Sequence, residues 1–165
     1  MSDFTFRHPN MADYDRIKAL YVRARRFMQE TGNPTQWGDN WPPEALVLED
    51  IEKGYNYVCE KDGVIQGVFA YFQGVDIDPT YRVIEDGAWI RDGEYGVVHR
   101  LASSGEVKGV GEACLSYAFS KCGHLRVDTH EDNKVMQSIL KKCGFERTGI
   151  IYVEKDNSPR IAYEK

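Results

Sequence analysis

The stretch Ser103-Ser104-Gly105-Glu106-Val107-Lys108-Gly109-Val110-Gly111 holds residue types well suited to binding an anion. An apolar, strand-like run precedes it and a helical pattern follows. A glycine-bearing turn that feeds a helix leaves backbone N–H groups without helical partners, and those amides and the helix dipole attract phosphate. Gly109 and Gly111 would allow close approach of the backbone, and Lys108 would add a point charge. Three readings compete for this loop. A nucleotide P-loop needs Lys and then Ser or Thr after its last glycine, but Glu112 follows Gly111. A dinucleotide fingerprint beginning at Gly109 would need Gly or Ala where Cys114 stands, and the loop comes late in the chain. The third reading is a glycine-softened loop with no ligand.

The elements that position this loop can be traced along the chain. Phe4–Arg7 alternates as a short strand. Met11, Tyr14, Ile17, Leu20, Tyr21, Ala24, Phe27 and Met28 recur at helical spacing, with Asn10 as N-cap and Gly32-Asn33-Pro34 as terminator. Arg16, Lys18, Arg23, Arg25 and Arg26 then form its solvated face. After a polar, aromatic loop, Pro43 opens a second helix that Gly54 closes. Tyr55–Glu60 and Val64–Phe72 read as strands joined by an Asp62-Gly63 hairpin turn. Residues 74–93 form an extended excursion before a strand at Tyr95–Ala102. A third helix starts near Gly109, and a strand runs from His124 to Thr129. A fourth helix spans Asp132 to Lys142, stopped by Gly144, and strands at Glu146–Glu154 and Arg160–Glu164 close the chain. This order predicts one domain over residues 1–165, an α/β (mixed α+β) fold with four helices on both faces of a mixed, mostly antiparallel sheet of about seven strands.

With those elements in place, His99-Arg100-Leu101-Ala102 followed by Glu106-Val107-Lys108-Gly109-Val110-Gly111 resembles the signature of the GNAT superfamily of acetyl-CoA-dependent N-acetyltransferases, [Q/R]-x-x-G-x-[G/A] after the fourth strand. The alternative register puts Lys108, Gly111 and Ala113 on the signature positions; the first keeps Gly109 at the helix entrance. Asn133, Leu140, Lys142, Gly144 and Phe145 resemble the family's N-x-x-A-x-x-L-Y-x-K-x-G-F run. The resemblance extends to the order of elements over nearly the whole chain.

The resemblance implies acetyl-CoA as co-substrate, with no metal. Backbone groups of Leu101 and Ala102 would pair with the pantetheine arm. Glu106 and the amides from Val107 through Lys108, Gly109 and Val110 to Gly111 would form the pyrophosphate loop. Asn133 would bond the pantetheine end, besides capping its helix, and Ser138 lies farther along that helix. Two departures stand out. Glu106 replaces the signature Gln or Arg, bringing a carboxylate near phosphates unless it turns away. Leu140 stands where the family commonly has a thiolate-protonating tyrosine, leaving that task to water, Ser138, Cys143 or Tyr152.

Acetyl transfer to an amine needs a neutral amine, a polarised thioester carbonyl and a stabilised thiolate. His99 is the expected base, because imidazole titrates near neutrality, and period-two alternation puts it on one face with Val97 and Leu101. Glu94 is its backup, with Asp128 and His130 behind it. In this fold the acceptor binds opposite the cofactor, where Trp37, Trp41, Tyr71, Tyr81 and Trp89 could wall a pocket for an apolar or cationic group. The competing reading is that these aromatics fill a second small core. The run His130-Glu131-Asp132 lacks helical ligand spacing and reads as a solvated loop.

Composition narrows the function classes. Against 26 Asp+Glu the chain has 21 Lys+Arg, a net charge of −5 over 165 residues, so it does not resemble a general polyanion binder. No apolar run approaches the roughly 18 residues of a membrane helix, and Met1-Ser2-Asp3-Phe4 has no signal-peptide pattern. A cytoplasmic location is expected, with no nucleic-acid or membrane partner. Cys59, Cys114, Cys122 and Cys143 show no C-x-x-C spacing and read as small buried hydrophobes. The leading expectation is an N-acetyltransferase acting by direct transfer on a primary amine of a small molecule, amino-acid-like compound or peptide, with a homodimer as its assembly. The alternatives are a non-catalytic acyl-CoA-binding or regulatory module and a nucleotide-binding domain of another class.

Overall fold

Asp62 and Gly63 both adopt positive φ, at 52° and 77°, in the tight turn between strands β2 (Asn56–Lys61) and β3 (Val64–Gly74). Two left-handed residues match the right-handed twist of the flanking strands, as the dipeptide predicts. This hairpin lies inside a seven-stranded sheet ordered β1-β2-β3-β4-β5-β7-β6. The remaining strands are β1 (Thr5–Arg7), β4 (Tyr95–Ser103), β5 (Leu125–Thr129), β6 (Glu146–Tyr152) and β7 (Pro159–Glu164). The helices are α1 (Tyr14–Glu30), α2 (Glu44–Glu52), α3 (Val110–Cys122) and α4 (Lys134–Lys142), and elements follow one another in the expected order. The computed structural model describes residues 3–165, so Met1 and Ser2 of the N-terminal segment lie outside the described residues.

Every neighbouring pair of strands is antiparallel except β4 with β5. One face of the sheet packs on α1 and α2 through Ile17, Leu20, Tyr21, Val47 and Ile51, which meet Val58, Val68 and Ala102. The other packs on α3 and α4, where Cys114, Leu115, Ala118 and Leu140 meet Cys59, Phe69, Val98 and Val127. Alternation within β2 and β3 explains the division: Val58 and Val68 point one way, Cys59 and Phe69 the other. These are termed the α1 face and the α3 face.

Two local differences from the sequence reading have clear causes. The first turn of the N-terminal helix is a 3-10 turn at Met11–Asp13, closed by a reciprocal Asn10–Asp13 capping box that leaves Met11 56% exposed. The excursion between β3 and β4 is not merely extended. It holds a 3-10 turn at Pro79–Tyr81, capped by Asp78, and Glu85 exchanges two backbone hydrogen bonds with Ile150. Its Tyr81 and Trp89 pack with Tyr95, Val97, Ile151 and Ala162, covering the half of the α1 face that α1 and α2 leave bare.

Candidate active site

β4 and β5 pair only at Gly96–Leu125 and Val97–Arg126. Beyond Val97 the edge of β4 facing β5 has no ladder partner. A bulge accompanies the parting: β3 residues Val68 and Ala70 oppose Ala102 and His99, so β4 carries one residue more than its neighbour. Arg100 absorbs it at φ 53°, a left-handed conformation rare for a long side chain. Two buried groups hold it there. The Arg100 guanidinium donates two 2.8 Å bonds to Asp50 of α2, and the Tyr21 hydroxyl donates to the Arg100 carbonyl at 2.8 Å. Asp50 is 1% exposed, so losing Arg100 would strand a buried charge.

The bulge corrects the expected face for one residue. His99 keeps Val97's side, but Leu101 crosses over and packs with Val98 against the α3-face core, while Ala102 joins the α1-face core. The added residue reverses the alternation.

The parting opens a cavity of about 280 Å³ that reaches both faces of the sheet. Leu115, Val127 and Met136 line it from the α3 side; Trp37, Trp41, Asp78 and His99 line it from the α1 side. His99 Nε2 lies 2.8 Å from Asp78 Oδ2, and Asp78 Oδ1 accepts the Thr80 amide at 3.0 Å. Burial alone would raise the Asp78 carboxyl; the hydrogen bond and charge of His99 and the Thr80 amide hold it below the ordinary aspartate value. Asp78 is therefore an ionised acceptor that holds a proton on Nε2 in both forms of the ring, so the neutral form of His99 carries its lone pair on Nδ1. Asp128 accepts a 2.6 Å bond from Tyr81. Burial, and next the Asp128 charge, push that phenol far above its ordinary value, so it stays protonated as the donor.

At the other end of β4 lies the anion-loop candidate. No side chain caps α3; its N-cap is Gly109 at φ 84°, a conformation that favours glycine. The amides of Val110, Gly111 and Glu112 therefore have neither a helical nor a side-chain partner. Lys108 and Gly109 are exposed, and the partly buried Val107 packs its side chain into the α3-face core. Gly111 has a packing reason: a Cβ there would meet Ile139 of α4 at 3.2 Å. Glu106 turns toward α1, 3.4 Å from Arg16, and away from the helix entrance. Arg16 and Arg23 are thus not simply solvated. Arg16 also reaches the Ile65 carbonyl, and Arg23 lies over Gly105 and donates to the Ser103 carbonyl.

Of the residues singled out from sequence, the cavity brings together His99, Leu101, Asn133, Trp37, Trp41 and Asp128. Asn133 caps α4 through the Met136 amide and donates to Gln36 at 2.9 Å, tying α4 to the loop between α1 and α2. Others lie elsewhere. Glu94 sits before β4, its carboxylate accepting from Gln73 at 2.7 Å, about 16 Å of extended chain from His99. Tyr71 belongs to the α3-face core, where burial raises its phenol to about 12, and its hydroxyl donates to Gln73. Tyr81 and Trp89 lie behind the cavity wall as core, so only Trp37 and Trp41 remain as aromatic lining. Ser138 is exposed on α4 and outside the lining; Cys143, at the end of α4, and Tyr152, on β6, are half-buried and also outside it. His130 bonds Thr35 Oγ1 and the Asp132 amide. Leu140, fully buried, is a core residue.

Sequence reasoning missed Asp50, Asp78, Thr129 and Arg160. Asp50 had a signal, a carboxylate on the apolar stripe of α2 between Val47 and Ile51. Asp78 had the Asp-Pro turn signature but nothing linking it to His99. Thr129, fully buried at the end of β5, lines the cavity with a hydroxyl that has no hydrogen-bond partner among the described residues.

No family model and no curated protein sequence matches the chain. Solved structures do. An acetyltransferase of the GNAT family from Streptococcus agalactiae 2603 shares 30% identity over 98% of this chain and 94% of its own, with a TM-score of 0.87. A GNAT-family acetyltransferase from Listeria monocytogenes 4b F2365 shares 22% identity over 98% and 94%, with a TM-score of 0.67. A GNAT-superfamily phosphinothricin acetyltransferase from Sinorhizobium meliloti, in complex with acetyl-CoA, shares 15% over 99% and 88%, with a TM-score of 0.65. The last two show a shared fold; the first, with the order of elements, the uncapped glycine entrance to α3 and the parted strands, shows kinship. The chain belongs to the GNAT family of acetyltransferases.

Proposed function

We propose that the protein transfers the acetyl group of acetyl-CoA directly to a primary amine carried by a small molecule, an amino-acid-like compound or a peptide. The observation that carries this reading is the cavity at the β4–β5 parting, which joins the His99–Asp78 pair on one face to buried, unpartnered Thr129 on the other. The residues present fit the co-substrate. The uncapped amides of Val110, Gly111 and Glu112 would hold its pyrophosphate, and the open edge of β4 at Leu101 and Ala102 would pair with its amide-bearing arm in the manner of an added strand. When bound, acetyl-CoA supplies an acyl group already activated as a thioester. Thr129 Oγ1 offers that end a hydrogen-bond donor. His99 Nδ1, held as the acceptor by Asp78, takes the proton of the incoming ammonium, and Trp37 and Trp41 limit water on the acceptor side.

The buried Leu140 favours a second reading, an acyl-CoA-binding module without turnover. Calorimetric titration with CoA, together with thiol release from acetyl-CoA over an amine panel, separates the two. Gly109→Val forces a β-branched residue into φ 84° and is expected to weaken CoA binding at least tenfold. Absence of both CoA binding and turnover would overturn both readings; binding without thiol release would favour the module.

A further inference from the structure

Two cations lie on the β6–β7 side of the cavity without a directly bonded counter-charge. Arg160 is 8% exposed, yet its guanidinium donates only to neutral oxygens: Ser158 Oγ at 2.8 Å, the Pro159 carbonyl at 3.2 Å and the Gln36 carbonyl at 3.4 Å. Lys155 Nζ lies 4.0 Å over the Trp41 ring. Neither forms an ion pair among the described residues. Asp156, which lines the same corner of the cavity, feels both charges only at longer range, and its Oδ1 accepts from the Ser158 hydroxyl and amide. A buried charge is ordinarily paired, so a buried guanidinium facing a cavity with neutral partners alone marks a place for an anion.

The opposite charge lies across the same sheet face. Asp128 pairs with Ala162, and Arg126 with Glu164, so Arg160 shares their face and is the diagonal neighbour of Asp128. Their Cβ atoms are then somewhat less than about 7–8 Å apart. Asp128 accepts from Tyr81 on Oδ2, and among the described residues no donor bonds its other oxygen. A negative and a positive wall at this spacing suit a ligand whose own charges lie a few bonds apart.

We propose that Arg160 and Lys155 form an anion subsite, and that the acceptor is a free amino acid or close analogue. Its carboxylate sits at this corner and its amino group faces Asp128 and His99. The inference rests on the acceptor reading given above. A peptide amino terminus fits less well, because its carboxylate lies too far from the amine. Trp37 and Trp41 supply an apolar wall for the side chain.

The test compares each common amino acid with its carboxamide and its decarboxylated amine. Binding to the CoA-saturated protein is read by calorimetry, and thiol release from acetyl-CoA is read in parallel. At least one amino acid is expected to bind tenfold or more tightly than both of its counterparts. Arg160→Gln and Lys155→Gln are each expected to cut that ratio below threefold. Lys155 is exposed, so its variant folds even if loss of the Arg160 tethers does not permit folding. Carboxamides or amines that bind as well as the amino acids, no binding by any amino acid, or a ratio unmoved in the Lys155 variant would overturn the subsite. Carboxylate-dependent binding without thiol release supports the subsite and strikes the transfer reading instead. Thiol release with no carboxylate preference does the reverse.

Discussion

Replacing Thr129 with Val separates stability from function more sharply than any other single change in the cavity. Thr129 is fully buried at the end of β5, and its hydroxyl has no hydrogen-bond partner. Protein data place the cost of an unsatisfied buried hydroxyl at about 1–3 kcal/mol. Valine keeps the shape, the β-branch and the strand preference while removing that cost. The expected change is a stabilisation of about 1 kcal/mol. An unfolding entropy of about 2.1 cal/mol/K per residue gives roughly 0.35 kcal/mol/K for this length, so the melting temperature should rise by about 3 °C. Activity should move the other way. If the hydroxyl donates to the thioester end of the co-substrate, its loss should lower kcat by roughly tenfold, with amine KM little changed. Calorimetric melting with and without saturating CoA, together with initial rates, reads both effects. CoA should protect the wild type more than the variant. A variant less stable than wild type by more than about 1 kcal/mol would mean the hydroxyl is satisfied in the free protein. Unchanged rates and unchanged CoA protection would refute its proposed use.

Two further outcomes follow from the half-buried Asp78 and the buried Glu164. Asp78→Asn keeps an oxygen for the Thr80 amide but presents an amide N–H to His99 Nε2, moving the ring proton to Nδ1. The expected result is a fall in kcat of roughly 10²- to 10⁴-fold with CoA affinity intact; a fall of less than threefold would exclude the tautomer argument. Glu164, 1% exposed, accepts from His124 at 2.6 Å and from the Ile90 amide at 2.5 Å, and lies 3.3 Å from Arg126. Burial would raise its carboxyl, but His124, the Ile90 amide and Arg126 together hold it below the ordinary 4.5. A depressed carboxyl binds its proton more weakly in the folded than in the unfolded chain, so its contribution is complete above about pH 4.5 and is lost as the pH falls through the lower folded value. Glu164→Gln is expected to cost about 3 kcal/mol at pH 7, by leaving Arg126 buried without its counter-charge, and to flatten the acid limb of a urea-denaturation series. Equal midpoints for wild type and variant at pH 7 would count against this.

The Glu106 carboxylate shows how a sequence departure is resolved in space. Along the chain it lies beside the anion loop and threatens it; in the fold Arg16, 90 residues away, draws it toward α1. Leu140 shows the opposite case, since the side chain that departs from the family pattern is simply core. Among the described residues no helix is long and apolar enough to cross a membrane.

What the sequence by itself determined is what local physics controls. Periodicity set the seven strands and four helices in order, and glycine placed the breaks where φ must be positive, at Gly54, Gly63, Gly109 and Gly144. The uncapped glycine entrance to α3 was legible for the same reason. What only the tertiary structure decided depends on groups distant in sequence. The β4 bulge reverses side-chain alternation because Asp50, 50 residues from Arg100, holds one residue left-handed, and no period-two pattern can announce that. His99 rather than Glu94 faces the cavity because β5 parts from β4 after Val97, a register set by sheet assembly. Asp78 and Arg160 reach the site from an excursion and a closing hairpin whose sequences carry turn signals and no sign of their destination. Burial then gives these side chains their chemistry. A carboxylate, a hydroxyl or a guanidinium that water would satisfy at the surface must find its partner inside the fold, or wait for one to bind.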